Sequence, residues 1–315
     1  MTVVRDEQQT HRWTAPALRW LAVLTMMAVV FWIAGRLSLP DRRVPGSTPA
    51  DLGVEFESLQ LITADGLNLA AWAVEPPGPV TAAVLVFHGK DGCRSPGRLA
   101  LLAKAGLAGL SIDHRAHGES DGVRTSFGWF ERHDVAAAVE EARRRWGDVP
   151  LVGWGTSQGA AALVFAVDPQ DGVLPPDTFA GLLLESLYVD MDTAFRQRVE
   201  MTLGTRAGYW SGSMMSLAAW RSGLTGLELS PHAALTRLAA AGLSPETVLL
   251  ASGAEDRHAT PAELQQLADV LPGCAVELLA GLGHVDLLSQ GTVSWRQTVV
   301  AFLEGLVEQG DLQGP

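Results

Sequence analysis

Cysteine is nearly absent: the 315-residue chain has two, Cys93 and Cys274. Two cysteines cannot build a disulfide framework, although they could pair with each other in an oxidising compartment. No CxxC and no His/Cys cluster is present, so no metal site is expected. Internal repeats and low-complexity tracts are missing too, which excludes solenoid and fibrous architectures. Basic charge is scarce, with 23 Lys and Arg against 35 Asp and Glu and a net charge of −12. The charge is unevenly placed. Residues 1–43 carry six Arg against Asp6, Glu7 and Asp41, and the total less this surplus of three leaves −15 on the remainder. A globular part that acidic would repel a phosphate backbone, so nucleic acid is not an expected partner.

What is present is apolar: 47% hydrophobic and 18% charged residues describe a chain that folds around a core. The length suits one large α/β domain. Between Arg19 and Arg36 lie sixteen residues without a charge, Trp20 to Gly35. With Ala15–Leu18 before them and Leu37 and Leu39 after, they approach the ~20 residues a bilayer needs. Trp13, Trp20 and Trp32 stand near the ends, where indole rings favour the headgroup level. The reading is a single-pass anchor over about 17–35 within an N-terminal part of 1–39. A cleaved signal peptide and a buried helix are the alternatives. Trp32-Ile33-Ala34-Gly35 is a poor cleavage pattern. Three Arg on each side leave orientation nearly undecided. The layout of a short tail and a large C-terminal domain favours an extracytoplasmic domain. Residues 40–52, rich in Pro, Gly, Ser and Thr, read as a linker, and 53–315 as the domain.

From Val54 onward, short apolar runs alternate with helical stretches. VEFESLQLIT and LNLAAWAV flank Ala64-Asp65-Gly66, a hairpin turn. AAVLVF (82–87), LAGLSID (107–113), VPLVGW (149–154), FAGLLLES (179–186), TVLLAS (247–252) and AVELLA (275–280) read as strands buried on both faces. The fold class is α/β: a mostly parallel twisted sheet with helices on both faces. About 188–243 there is no convincing strand. That stretch reads as a helical cap, whose Met191, Met201, Met214, Met215, Tyr209, Trp210 and Trp220 either line an acyl or aromatic pocket or form the cap's own core.

Gly155-Thr156-Ser157-Gln158-Gly159 follows a strand and opens a helix. In that context a G-x-S-x-G pattern marks a sharp turn. It holds a serine in a strained conformation at a helix N-terminus, so neighbouring positions must be small. Serine needs a base to take its proton. His284 follows the last strand, and Asp256 stands in the equivalent loop one strand earlier, where sites collect in open α/β sheets. Ser157 is the expected nucleophile, His284 the base and Asp256 the acid that orients it, with Glu255 and Asp286 as competing acids. A developing oxyanion needs two donors. These are expected to be the backbone N–H groups of Gln158 and of Lys90, the latter in the loop Phe87–Gly92, where Gly89 allows close approach.

Together His88-Gly89, Asp113-His114-Arg115-Ala116-His117-Gly118-Glu119-Ser120, Gly155–Gly159, Gly253–Asp256 and Gly281–His284 resemble the α/β-hydrolase superfamily. The nearest branches are the monoglyceride-lipase-like and prolyl-oligopeptidase-like hydrolases, and the likeness covers roughly 54–307. It implies a serine hydrolase without metal or cofactor, in which His114 and His117 are packing residues. A membrane-anchored esterase acting on small-molecule or lipid esters is the leading expectation. The alternatives are a serine peptidase or amidase with the same triad, and a non-catalytic binding protein on the same scaffold.

Overall fold

The structure is a computed structural model that describes residues 11–224, 227 and 229–311. The charged tail residues Arg5, Asp6 and Glu7 lie outside them.

Helix α1 (His11–Ser38) precedes the sheet. An antiparallel pair follows, β1 (Glu57–Ile62) and β2 (Asn68–Val74), closed by Gly66 at φ 83°. Next come β3 (Ala83–Phe87), α2 (Pro96–Lys104), β4 (Ala108–Ile112), α3 (Arg132–Trp146), β5 (Leu151–Thr156), α4 (Gln158–Ala166) and β6 (Gly181–Glu185). Then come α5 (Met191–Leu203), α6 (Ser211–Ser222), α7 (Pro231–Ala240), β7 (Val248–Gly253), α8 (Pro261–Val270), β8 (Ala275–Leu279), α9 (Leu287–Gln290) and α10 (Val293–Asp311). The eight strands form one sheet in the order β1-β2-β4-β3-β5-β6-β7-β8, parallel from β4 to β8.

Two cores sandwich the sheet, as strands with alternating faces require. Leu85 and Phe87 of β3 face one core, with Val135, Leu163, Leu235 and Leu267 from α3, α4, α7 and α8. Val84 and Val86 face the other, with Leu102 of α2 and Trp295 and Leu303 of α10. Helix starts follow local chemistry. Ser95, Ser230 and Thr260 each accept an N–H from the first turn and precede a Pro at the first helical position. Thr260 and Glu263 complete a capping box.

Four expectations change. The spanning anchor is not found: among the described residues, no helix is long and apolar enough to cross a membrane. Sixteen uncharged residues rise about 24 Å as a helix, against ~30 Å of hydrocarbon. Helix α1 packs against α6 instead, leaving Trp20, Leu24, Met27 and Trp32 exposed. The single-pass placement and the extracytoplasmic side rested on that anchor and are left without support. The linker is not free either, because Asp41 and Arg42 are hydrogen-bonded to the domain. The interval 188–243 divides in two: α5 and α6 form the helical insertion, whereas α7 buries Ala234, Leu235 and Leu238 in the sheet's core. Strand β8 departs from the doubly buried pattern as well, since it closes the sheet and leaves Val276 and Leu278 exposed.

Candidate active site

Ser157 lies between β5 and α4 with φ 51° and ψ −112°. This conformation is costly for any side chain other than glycine, and it persists only where the surroundings enforce it. Here the Ser157 N–H donates to Glu185 O at 2.7 Å. The flanking glycines are dictated by space. A Cβ on Gly155 would lie 2.5 Å from Ala160 N, and one on Gly159 would lie 2.3 Å from Phe87 O. The sequence pattern thus has a steric cause at both positions.

The turn places Ser157 Oγ 3.1 Å from His284 Nε2, while His284 Nδ1 lies 2.8 Å from Asp256 Oδ2. All three expected residues are therefore in one hydrogen-bonded line. Asp256 is buried, and its second oxygen accepts the N–H groups of His258 (2.8 Å) and Ala259 (2.9 Å). Burial alone would raise its pKa. The hydrogen bond from His284 and the two N–H groups outweigh that and hold the carboxyl below its usual range. The competing acids stand elsewhere. Asp286 caps α9 and pairs with Arg98 at 3.0 Å, and Glu255 is exposed.

The loop after β3 is shaped by His88, whose part sequence reasoning missed. His88 Nε2 accepts the N–H of His114 at 3.0 Å, so the proton sits on Nδ1, which donates to Gly89 O at 2.7 Å. Gly92 N–H donates to the same carbonyl at 3.0 Å. In a trans peptide the carbonyl and the following N–H point in opposite directions. Anchoring Gly89 O on the His88 side therefore turns the Lys90 N–H the other way. Gly89 itself abuts Ser157: a Cβ there would lie 3.3 Å from Ser157 Cβ. Gln158 opens α4 directly after Ser157. His88 is buried with His114 and His117, ring centroids 5.0 Å from each. That burial drives its pKa well below the histidine norm, so the ring is neutral. The signal was available in the sequence only as the His-Gly pair; the tautomer depends on a backbone N–H after β4.

Behind the serine lies a buried ionic layer, also missed. Arg98 Nη2 reaches Glu185 Oε2 at 2.5 Å and Asp286 Oδ1 at 3.0 Å, and Thr156 Oγ1 donates to Glu185 Oε2 at 2.7 Å. His258 packs its ring 4.9 Å from His284. Burial, then Arg198 and His284, lower its pKa to about 4.

Ser157, His284 and Gly89 line a cleft of about 910 Å³ with Arg43, Lys90, Arg98, Arg198, Met201 and His258. Of the described side chains expected to form an apolar pocket, only Met201 reaches it. Met191 and Met215 line a separate pocket of about 440 Å³, Met214 is buried, and Tyr209 and Trp220 are exposed. The side chain of Trp210 lies outside the described residues. Cys93, also in the cleft wall, and Cys274 are free thiols, and burial pushes Cys93 up to about 11. Among the described residues, no three His, Cys, Asp or Glu side chains are grouped as metal ligands.

This sheet order, with a strained serine turn at its centre, is that of the α/β-hydrolase fold. Residues 78–211 match the family model described as serine aminopeptidase, S33, a segment that contains Lys90 and Ser157. YqkD, an uncharacterized protein of Bacillus subtilis (strain 168), is 26% identical over 208 residues, or 62% of this chain. The chain spans 62% of the length of that relative. Among solved structures, the esterase Pf2001 of Pyrococcus furiosus is similar with a TM-score of 0.67 and 19% identity, covering 85% of this chain and 99% of that one. The acylaminoacyl peptidase of Pyrococcus horikoshii is similar with a TM-score of 0.57 and 15% identity, covering 80% and 41%. At such identities the likeness is one of fold.

Proposed function

We propose that the protein is a serine hydrolase that cleaves carboxylic esters through an acyl-enzyme. The observation that carries this reading is the continuous line Ser157 Oγ, His284 Nε2, His284 Nδ1, Asp256 Oδ2, with links of 3.1 and 2.8 Å, opening on the cleft. Ser157 attacks the ester carbonyl carbon as its hydroxyl proton passes to His284 Nε2. Asp256 holds the ring and stabilises the imidazolium that forms. The N–H groups of Lys90 and Gln158 receive the oxyanion. Collapse of the tetrahedral adduct breaks the bond to the alcohol oxygen, which takes the proton from His284. Water then attacks the acyl-enzyme, giving its proton to His284, and the acid leaves as Ser157 regains its hydroxyl. The name of the Pyrococcus furiosus neighbour, an esterase, supports the choice of ester.

The test is hydrolysis of 4-nitrophenyl esters by the full chain beside Ser157→Ala. A rate loss of ~10⁴–10⁶ in the variant is expected. Equal activity in both would sink the assignment. Amide cleavage is the second reading, favoured by the serine aminopeptidase description of the matching family and by the Pyrococcus horikoshii peptidase. Activity on 4-nitroanilides with none on esters would select it.

A further inference from the structure

The ends of β5 and β6 and the start of α9 meet at one guanidinium. Arg98 stands in the first turn of α2, whose start is pinned to the sheet. Ser95 Oγ accepts the Arg98 N–H at 3.3 Å, and the Ser95 N–H donates to Ser111 Oγ of β4 at 3.0 Å. The guanidinium lies over the Trp154 ring of β5, 4.9 Å from its centroid. Its Nη2 reaches Thr156 Oγ1 at 3.2 Å, Glu185 Oε2 at 2.5 Å and Asp286 Oδ1 at 3.0 Å. Thr156 precedes Ser157, and the Glu185 carbonyl takes the Ser157 N–H. Asp286 follows His284 by two residues. One side chain therefore touches the turn that carries Ser157 and the loop that carries His284.

The His284 loop is held on both sides. Upstream, the Glu255 N–H donates to Leu282 O at 2.8 Å, and a Cβ on Gly253 would lie 2.2 Å from that same oxygen. Downstream, Asp286 Oδ1 has two duties. It accepts the Leu288 N–H at 3.1 Å and so caps α9, and it takes the Arg98 guanidinium. The two ends of this bridge differ in solvation. The side chains of Arg98 and Glu185 are 5% and 0% exposed, so that pair is fixed deep in the protein, whereas Asp286 is 44% exposed. A half-exposed ion pair adds little to global stability. Here it joins a surface loop to an anchored cation, and such a contact fixes position more than it stabilises.

Resting on the serine-hydrolase reading, we propose that Arg98 is a positioning residue for the reaction: it keeps the Ser157 turn and the His284 loop in register, with Asp286 as its grip on the base. Proton transfer from Ser157 Oγ to His284 Nε2 spans 3.1 Å, and a displacement of about 1 Å at such a step can cost about a hundredfold in rate. Arg98 moves no proton in this scheme and acts through the two loops it joins.

Asp286 offers the test, because two substitutions separate its duties. Asp286→Ser keeps a helix-capping oxygen but is too short to reach Arg98, and Asp286→Asn keeps both the cap and a neutral acceptor. On 4-nitrophenyl esters, kcat per folded enzyme should fall about tenfold in Asp286→Ser and about two- to threefold in Asp286→Asn, with KM within about twofold of wild type in both. Amide exchange over residues 281–286 should accelerate in the same order. A kcat in Asp286→Ser within about twofold of wild type, or an effect on KM alone, overturns the inference while ester hydrolysis stands. If the wild type cleaves neither esters nor anilides, exchange decides. Acceleration in Asp286→Ser upholds the grip on the His284 loop although the hydrolase reading falls; equal exchange in all three proteins overturns it.

Discussion

Arg98 Nη2 sits 2.5 Å from Glu185 Oε2, and the main-chain carbonyl of the same Glu185 receives the N–H of Ser157 at 2.7 Å. One residue at the end of β6 therefore joins a buried ion pair to the strained serine turn. Both partners are almost wholly buried, so neither charge has water to fall back on. Arg98→Met should leave Glu185 uncompensated and cost about 3–5 kcal/mol in urea unfolding. The double variant Arg98→Met/Glu185→Leu should recover much of that loss. A single variant within about 1 kcal/mol of wild type would refute the coupling.

In the proposed mechanism His88 is a positioning residue. Its Nδ1–H holds Gly89 O and so aims the Lys90 N–H. His88→Leu fills similar space without the donor. The expected result is a fall of about 10²-fold in kcat with a much smaller change in KM, because the donor matters most where charge develops. An unchanged kcat with lowered thermal stability would mean that the ring only packs.

Acid should weaken the fold before it protonates the carboxylates. In the unfolded chain His258 titrates near the ordinary histidine value of about 6.5. In the fold burial holds it at about 4. Between those values the unfolded state binds a proton that the native state refuses, so stability drops as pH falls through this window. His88 adds to the same slope, since its folded value is also depressed. Asp256 acts lower: its folded value lies below 3.8, so the stability it contributes is lost only as pH falls through that range. Melting temperature should decline by several degrees from about pH 7 to about pH 4.5, and His258→Asn should flatten the decline. A melting curve independent of pH across this window would refute the assignment.

The parts that were legible in the sequence are those set by local rules. The eight strands, the capped helices and the serine turn each follow from a run of neighbouring residues, and Ser157, Asp256 and His284 sit at strand ends that such runs define. What was not legible depends on distant partners. The Pro- and Ser-rich composition of 40–52 reads as linker, yet Arg42 finds three carbonyls near residue 120. An uncharged run suggested a span, but the Arg residues bounding it make it short, and α6 offers it a protein surface. The methionines of the cap were candidates for an acyl pocket, and the fold turns all but Met201 away from the cleft. His114 and His117 do pack, as their burial shows, and His117 Nδ1 bonds Arg115 O at 2.8 Å.

Residues 41–46, strapped to the domain through Asp41 and Arg42, make the last prediction. Arg42 carries three acceptor contacts, whereas Arg43 beside it faces the cleft. Removing the first should therefore impair the second without touching it. Arg42→Ala deletes the donors and opens the carbonyls of Gly118, Ser120 and Gly122 to water, so the global cost should be modest, about 1 kcal/mol. Locally the effect should be larger: amide exchange over residues 41–46 should accelerate by at least about tenfold, because a segment with few buried apolar contacts is held only by such bonds. KM for a 4-nitrophenyl ester should rise, since a mobile strap loses its fixed place in the cleft wall and must be ordered again on binding. Should exchange remain slow in Arg42→Ala, the strap is held by something other than these bonds. Should exchange accelerate while KM stays put, the strap is held by these bonds but takes no part in binding substrate.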